Sequence, residues 1–581
     1  MPQIEHKAIQ NSVAKTSTRP TLFNQRSLWS LFGIAAIISS IAQTGLFRQD
    51  IINPGGWSVF LHFLIASLHP DLSPELLSLT LDATIVTLAY AMYGTAFSVF
   101  LGLVGGVLAS QVWWQSVFMT YSHRQFQPTA IAPWLIIRAL LSIPRAIHEL
   151  IWGLFFINIF GLDPLVAILA ITIPFGAVTA KVFSEILDET PRQPLIALLS
   201  SGVSPPKAFI YSLLPQAFPY LLSYTFYRFE CSIRSAAVLG IIGAGGLGYQ
   251  ILLSLQSLRY EQIWTFFFAL FLLNGSVDFW SALLRHHLGS PNRLDLNSLK
   301  LQGSKRPTIN RQSHLILFAS SIGAIALLLC SFSIKIDYTK LWAPRTIQLL
   351  EEFIGEVFPP NINTTQFGEL FNLSTQTLAM SILAIALAGL GGMLLCFPAA
   401  RILLPGGVLN PISQSPHHWF WGTIILLLTR SLLLISRAIP APIWALILLF
   451  ILFPGILPGA IALGLHNLGI LGRLMAEVIE ELDERPLRSL QALGATSPQV
   501  FLYGVLPNAL PQFIAYILYR WEVCMRETVI VGLVGAGGLG RLLTEQLSSF
   551  DYKSLVTTLL CFIVLTFGVD LLSASFRRLV R

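Results

Sequence analysis

Two short charged clusters stand inside otherwise apolar sequence: Arg228, Glu230 and Arg234 in one long hydrophobic segment, and Arg520, Glu522 and Arg526 in another. An ionised side chain at membrane depth is costly, and it faces a bundle interior or a watery cavity. Arginine adds a planar fork of N–H donors suited to phosphate-like oxyanions. The chemistry on offer is anion attraction along a path, with Arg228, Arg234, Arg520 and Arg526 as the cations. A structural reading competes with it. Glu230 and Arg234, like Glu522 and Arg526, are four residues apart on one helical face, where a self-satisfied pair locks the helix in place. The structural reading is preferred for these two pairs. Arg228 and Arg520 lie on a different face from the glutamates and stay open between path and scaffold. Glu527 is matched by Ser235 in the other cluster, so the two are not electrostatically equivalent.

Both clusters sit in a repeated block. Residues 211–248 and 503–540 agree at 17 of 38 positions without gaps, and the offset of 292 already holds at Gly202 and Gly494. That offset is about half of the 581 residues, so the repeat is a duplicated domain and not a short solenoid unit. Two halves packed about a pseudo-two-fold axis, with a path between them, are expected.

The elements that position the clusters must be membrane spans. Charged residues make up 11% of the chain and hydrophobic residues 54%, with a mean hydropathy of +0.69. A soluble domain carries about 25% charged residues, so much of this surface must face lipid. The net charge of +7 fits basic cytoplasmic loops. No dense Lys/Arg run with interleaved aromatics supports nucleic-acid binding. Cys231, Cys330, Cys396, Cys524 and Cys561 lie singly in apolar stretches, and His148 and His466 have no ligand neighbours at suitable spacing, so no metal site is expected.

Apolar runs of about 20 residues place spans at 28–46, 82–110, 132–160, 164–183, 212–243 and 263–284. The second half places them at 313–334, 373–400, 421–452, 457–476, 504–535 and 555–575. The expected fold class is an all-α integral membrane protein with about six spans per half. Its parts are a polar tail (1–27), a first transmembrane domain (28–285), a polar linker (286–312) and a second transmembrane domain (313–581). The segment from Leu28 reads as a retained span and not a cleaved signal peptide. Basic residues gather in the linker and the C-terminal Arg577, Arg578 and Arg581, on the side assigned to the 181–211 and 479–503 loops, whereas 47–80 and 335–372 are acidic or balanced. The bias puts both termini in the cytoplasm, and an even number of spans gives both halves one orientation. Arg138, Arg145, Arg430 and Arg437, matched between halves near the start of the third span, read as arginines snorkelling to headgroups.

Gly243, Gly245, Gly246 and Gly248, with Gly535, Gly537, Gly538 and Gly540, literally match G-x-G-x-x-G. A dinucleotide site needs a strand before the string and a helix after it. Here each string ends an apolar helix, so nucleotide binding is rejected in favour of close packing or a helix break. No G-x-x-x-x-G-K-[ST] loop occurs, and no HExxH or GxSxG string supports an intramembrane enzyme.

The 181–211 and 473–503 segments each combine a short amphipathic helix, a glycine bend (Gly202, Gly494), a second helical turn with Pro206 or Pro498, and a helix-starting proline (Pro215, Pro507). Two matched knobs of this kind on one side of a membrane could transmit force. With its glycine and later L-P, the pattern resembles the cytoplasmic coupling loop of ABC importer permeases, although Ile196 and Arg488 stand where that loop has a leading glutamate. The downstream YRFE…R…GAGGLG and YRWE…R…GAGGLG blocks resemble phosphonate-type permeases in particular. So do RALLSIPRAIHELIW (138–152) and RSLLLISRAIPAPIW (430–444), which depart at His148 and at Ala441–Pro442.

The resemblance implies two fused type I permease units in a bacterial inner membrane. They would import a phosphonate or a related oxyanion (phosphite, phosphate) by alternating access. It also implies a periplasmic substrate-binding protein, two cytoplasmic ATPase subunits that hold ATP and magnesium, and no catalytic residue or bound cofactor in this chain. Methionine, glycine betaine or a metal ion as substrate stays open as an alternative, and an ion-coupled secondary transporter stands further off.

Overall fold

The computed structural model describes residues 25–44, 52–118, 131–288, 321, 334, 336–357, 364–401 and 416–580. The expected span at 313–334 and the linker fall almost wholly outside the described residues, as does most of the 1–27 tail. The first half forms α1 (Gln25–Gln43), α2 (Gly56–Ala66), α3 (Pro74–Ala109), α4 (Gln111–Phe118), α5 (Ile131–Ala146), α6 (Glu149–Phe160), α7 (Pro164–Glu189), α8 (Gln193–Ser200), α9 (Pro205–Ala208), α10 (Leu214–Leu239), α11 (Gly246–Gln256) and α12 (Tyr260–Leu288). The second half forms α13 (Pro344–Val357), α14 (Thr364–Ala399), α15 (Pro416–Ala438), α16 (Ala441–Leu448), α17 (Ile456–Glu480), α18 (Glu484–Ala492), α19 (Ser497–Val500), α20 (Leu506–Val531), α21 (Gly538–Ser548) and α22 (Tyr552–Val580). Among the described residues, eight helices are long and apolar enough to cross a membrane, or ten if each bent pair counts as one span.

Small residues decide which helices pack most closely. Gly94, Ser98, Gly102 and Gly106 make one face of α3, which α7 approaches so tightly that a Cβ on Gly102 would stand 2.5 Å from Thr179 Cγ2. Ala384, Ala388 and Gly392 on α14 meet Gly464, Leu471 and Gly472 on α17 in the same way. Small side chains let helix backbones approach where lipid supplies no hydrophobic drive. These two pairs are the rigid frame of each half.

Three expectations are corrected. The span at 132–160 is broken: α5 and α6 meet at 81°. His148 adopts extended backbone there, and its Nδ1 caps α6 by accepting the Leu150 N–H at 3.2 Å. Pro440 supplies the same extended corner before α16, which splits 421–452. Second, Pro215 and Pro507 stand in the first turn of α10 and α20, but no loop precedes them. Each follows a wide π turn, Phe209–Leu213 or Phe501–Val505, in continuous helix. A proline has no N–H for the carbonyl four residues back and crowds it, so the chain takes up one extra residue per turn just before it. Third, the α7 and α17 spans run on to Glu189 and Glu480, carrying the frame directly to the loops.

The halves interlock. Ile147 and Ile151, at the α5–α6 corner, sit in a cluster with Met525, Val529, Leu539 and Phe562 of the second half. Their 292-offset partners, Ile439 and Ile443, sit with Phe63, Tyr260, Phe266 and Phe267 of the first. Each broken third span therefore seats its corner in the other half's core.

Candidate functional site

Between the halves lies a cavity of about 210 Å³. Its walls are α7 and α10 with the α5–α6 corner, and their counterparts α17 and α20 with the α15–α16 corner. Arg145, Arg228 and Arg234 face it from the first half, and Arg437, Arg473, Arg520 and Arg526 from the second; the carboxylates lining it are Glu149 and Glu527. All four arginines of the two sequence clusters thus meet in one place. Glu230 and Glu522 are not among the lining residues.

Among the described residues, the cluster arginines turn to partners other than the carboxylates expected from helical spacing. Arg234 turns Nη2 to the Cys231 Sγ at 3.4 Å. Arg526 donates to the backbone carbonyls of Glu522 (3.2 Å) and Arg145 (3.4 Å). Glu522 instead lies 2.5 Å from Arg577 of α22, charge against charge and outside hydrogen-bond geometry. The side chains at i and i+4 share a face, but arginine's length lets it reach past its helical neighbour.

Snorkelling is also corrected. Arg138 and Arg430 hold the ends of the frame helices, paired with Asp188 (3.3 Å) and Glu480 (2.6 Å) and donating through Nε to the Ala109 and Ala399 carbonyls. Arg437 is buried and bonds Asp278, which also accepts from Arg473 Nη1 at 3.1 Å. This joins α12 of the first half to α15 and α17 of the second. The 292-offset counterparts are Asp570, Arg145 and Lys181, and here the cluster is open. Asp570 Oδ1 is buried with no hydrogen-bond partner among the described residues, while Lys181 lies 3.9 Å from Glu185. The sequence signal for these residues is the pair of matched acids in the last span of each half, Asp278 and Asp570.

The glycine strings lie at helix breaks. Gly243 and Gly535 take left-handed backbone between α10 and α11 and between α20 and α21, and Gly245 and Gly537 precede the new helices. Thr87 and Thr377 accept the Leu247 and Leu539 N–H groups at 2.8 and 2.9 Å, tying α3 to α11 and α14 to α21. Gly246 and Gly538 make room for those threonines, and Gly248 and Gly540 for the Ala237 and Val529 carbonyls.

At the other end, α8 and α18 project beyond the frame. Each closes on its bend glycine with a paired hydrogen-bond cap: Gly202 N–H to Leu199 O and Val203 N–H to Leu198 O, then Gly494 N–H to Gln491 O and Ala495 N–H to Leu490 O. The cap needs left-handed backbone at Gly202 (φ +84°) and Gly494 (φ +86°), the conformation glycine adopts without strain. Pro206 and Pro498 occupy the first turn of α9 and α19. The exposed faces differ: α8 shows Ile196, whereas α18 shows Arg485 and Arg488, the latter bonded to Glu484 at 2.6 Å.

A duplicated helical frame, a cationic cavity between its halves and matched projecting loops accord with the family comparison. The family described as binding-protein-dependent transport system inner membrane component matches residues 98–289 and 420–581. The chain belongs to this family. The permease is 26% identical over 449 residues to the phosphate-import permease protein PhnE of Mycolicibacterium smegmatis, covering 76% of this chain and 77% of the relative. It is 33% identical over 254 residues to the phosphite transport system permease protein PtxC of Stutzerimonas stutzeri, covering 44% of this chain and 85% of the relative. A solved inward-facing MetNI methionine ABC transporter is 20% identical, with a TM-score of 0.31, over 38% of the permease and all of that chain.

Proposed function

We propose that the permease carries phosphorus oxyanions (phosphonate, phosphite or phosphate) inward between its two halves. The observation that carries this reading is the cavity lining, where seven arginines face two carboxylates. An interior so biased toward positive charge attracts an anion and repels a metal cation. The names of the relatives, a phosphate-import and a phosphite-transport permease, support the same substrate class.

The rest of the machine follows from the family resemblance. A periplasmic binding protein delivers the anion to the outer face. Two ATPase subunits bind ATP and magnesium and grip the knobs around Gly202, Pro206 and Pro215 and around Gly494, Pro498 and Pro507. Their closure draws the knobs together, and the frame helices α7 and α17, continuous to Glu189 and Glu480, carry the movement to the cavity. The chain itself binds and passes the ion, with no catalytic group and no cofactor of its own. It lies in the bacterial inner membrane with both termini in the cytoplasm.

The test is uptake by proteoliposomes containing the permease, its candidate ATPase and its binding protein, offered labelled phosphonate, phosphite and phosphate. ATP-dependent uptake of one of them is the expected result. ATP-independent flux, or ATP-dependent uptake restricted to methionine, glycine betaine or a metal ion, refutes it.

A further inference from the structure

The two arginines that the repeat places at one position have opposite surroundings. Arg520 is held on one edge: its Nε and Nη2 donate to Asn467 Oδ1 at 2.8 and 2.5 Å, and Nη2 also donates to Glu527 Oε1 at 3.1 Å. Asn467 in turn donates to Glu527 Oε2 at 3.1 Å, so the group is closed. Arg228 has none of this. At the positions of Asn467 and Glu527, the first half carries Phe175 and Ser235. The Arg228 guanidinium stacks on the Phe175 ring, 3.7 Å from its centroid, and Ser235 turns away to donate to Glu149 at 2.6 Å. Arg228 is 8% exposed, and its Nε is buried with no hydrogen-bond partner among the described residues.

A guanidinium stacked on an aromatic ring keeps its donor edge in the plane, pointing sideways. A buried charged donor without a partner is expensive, so such an edge in a native protein calls for an explanation. Here Arg228 lines the cavity, and the charge of its twin is cancelled within hydrogen-bond distance.

We infer that Arg228 is the anchoring residue of a single, off-axis anion site, which takes two oxygens of a phosphorus oxyanion on its free donor edge, and that Arg520 is scaffold. This rests on the oxyanion reading above. One ion per transport cycle binds on the first-half side of the cavity, and the Phe175 ring and the neutralised Arg520 keep a second ion from binding on the axis.

The experiment uses the assembled transporter in proteoliposomes, with concentration-dependent uptake of phosphite and phosphate and size-exclusion profiles as the check on folding. R228Q is expected to lower uptake at subsaturating anion at least tenfold, with ATPase activity still coupled to the binding protein. R228K, which keeps the charge and loses the fork, falls between R228Q and the parent. The double variant R520Q/E527Q removes the bonded Arg520 and Glu527 charges together and is expected to lose less than a third as much on a logarithmic scale. Equal losses in R228Q and R520Q/E527Q overturn the single-site inference while the oxyanion reading stands. Uptake insensitive to R228Q also overturns it, as when the fork holds a lipid phosphate instead of the transported ion. A parent transporter that takes up neither anion overturns the oxyanion reading, and the inference falls with it.

Discussion

Asp278 and Asp570 occupy equivalent positions in the repeat and should respond oppositely to the same change. Asp278→Asn removes a carboxylate that bonds two arginines of the other half. Its side chain is 14% exposed and that of Arg437 is 10% exposed, so this is a buried pair. Removing one partner of a buried ion pair typically costs about 3–5 kcal/mol, because the remaining charge stays desolvated. Arg473 keeps Glu477 at 2.9 Å, so the lower end of that range applies, about 3 kcal/mol. A loss of about 1.4 kcal/mol is tenfold in an equilibrium constant, so the folded-to-unfolded ratio should drop on the order of a hundredfold.

Asp570→Asn removes a carboxylate whose Oδ1 is buried and unbonded. A group in that state already carries a desolvation penalty of about 1–3 kcal/mol. Relief of that penalty offsets the lost attraction to Arg145, Lys181 and Arg526, so the net change should stay within about 1 kcal/mol of zero. Denaturant unfolding in mixed micelles, followed by tryptophan fluorescence, measures both variants. Equal destabilisation by the two substitutions would refute the argument, because it would mean that the closed and open clusters are energetically alike.

Three further outcomes are expected. Thr87→Val leaves the Leu247 N–H buried without its acceptor and should cost about 1–3 kcal/mol, and Thr377→Val should do the same at Leu539; a midpoint shift of similar size in both is the check. Gly248→Ala sets a Cβ 1.8 Å from the Ala237 carbonyl oxygen, so α10 and α11 must part; an overpacking cost of about 3 kcal/mol or more should show as a large loss of monodisperse protein. Asp163→Ala removes the cap on Leu165 N (2.9 Å) at the start of α7 and the ion pair to Lys340, and should lower stability by about 1–2 kcal/mol in the same unfolding assay.

Much of this molecule could be read before any coordinates. The duplication, the spans and the projecting loops follow from the 292-residue offset and from apolar run length, which report on the chain locally. The cluster arginines could be named because a charge in an apolar run is conspicuous. Their partners could not. Helical spacing pairs Glu230 with Arg234, yet the contacts that form reach across helices, from Arg520 to Asn467 and from Arg437 to Asp278. Asn467 sits in an ordinary apolar segment and gives no local sign that it fills an arginine's donor edge. The α5–α6 corner was missed for a related reason: 132–160 is apolar throughout, and hydropathy cannot distinguish a straight span from one that turns at His148. Arg145 and Arg437 lie near a span end, where snorkelling is the ordinary outcome, and only the corner carries them inward.

The joining of both copies in one polypeptide has a consequence for how such a pore can change. In a symmetric pair of identical chains, every substitution appears twice, once on each side of the axis. A carboxylate placed beside one arginine would silence both, and the passage would lose its charge in a single step. With the copies written separately, Glu527 and Asn467 can quiet one side while Phe175 and Ser235 leave the other free. The same freedom extends to the knobs, where an apolar α8 and a charged α18 can each be fitted to its own neighbour. The fused chain gives the passage a near bank and a far bank, each open to its own course of change.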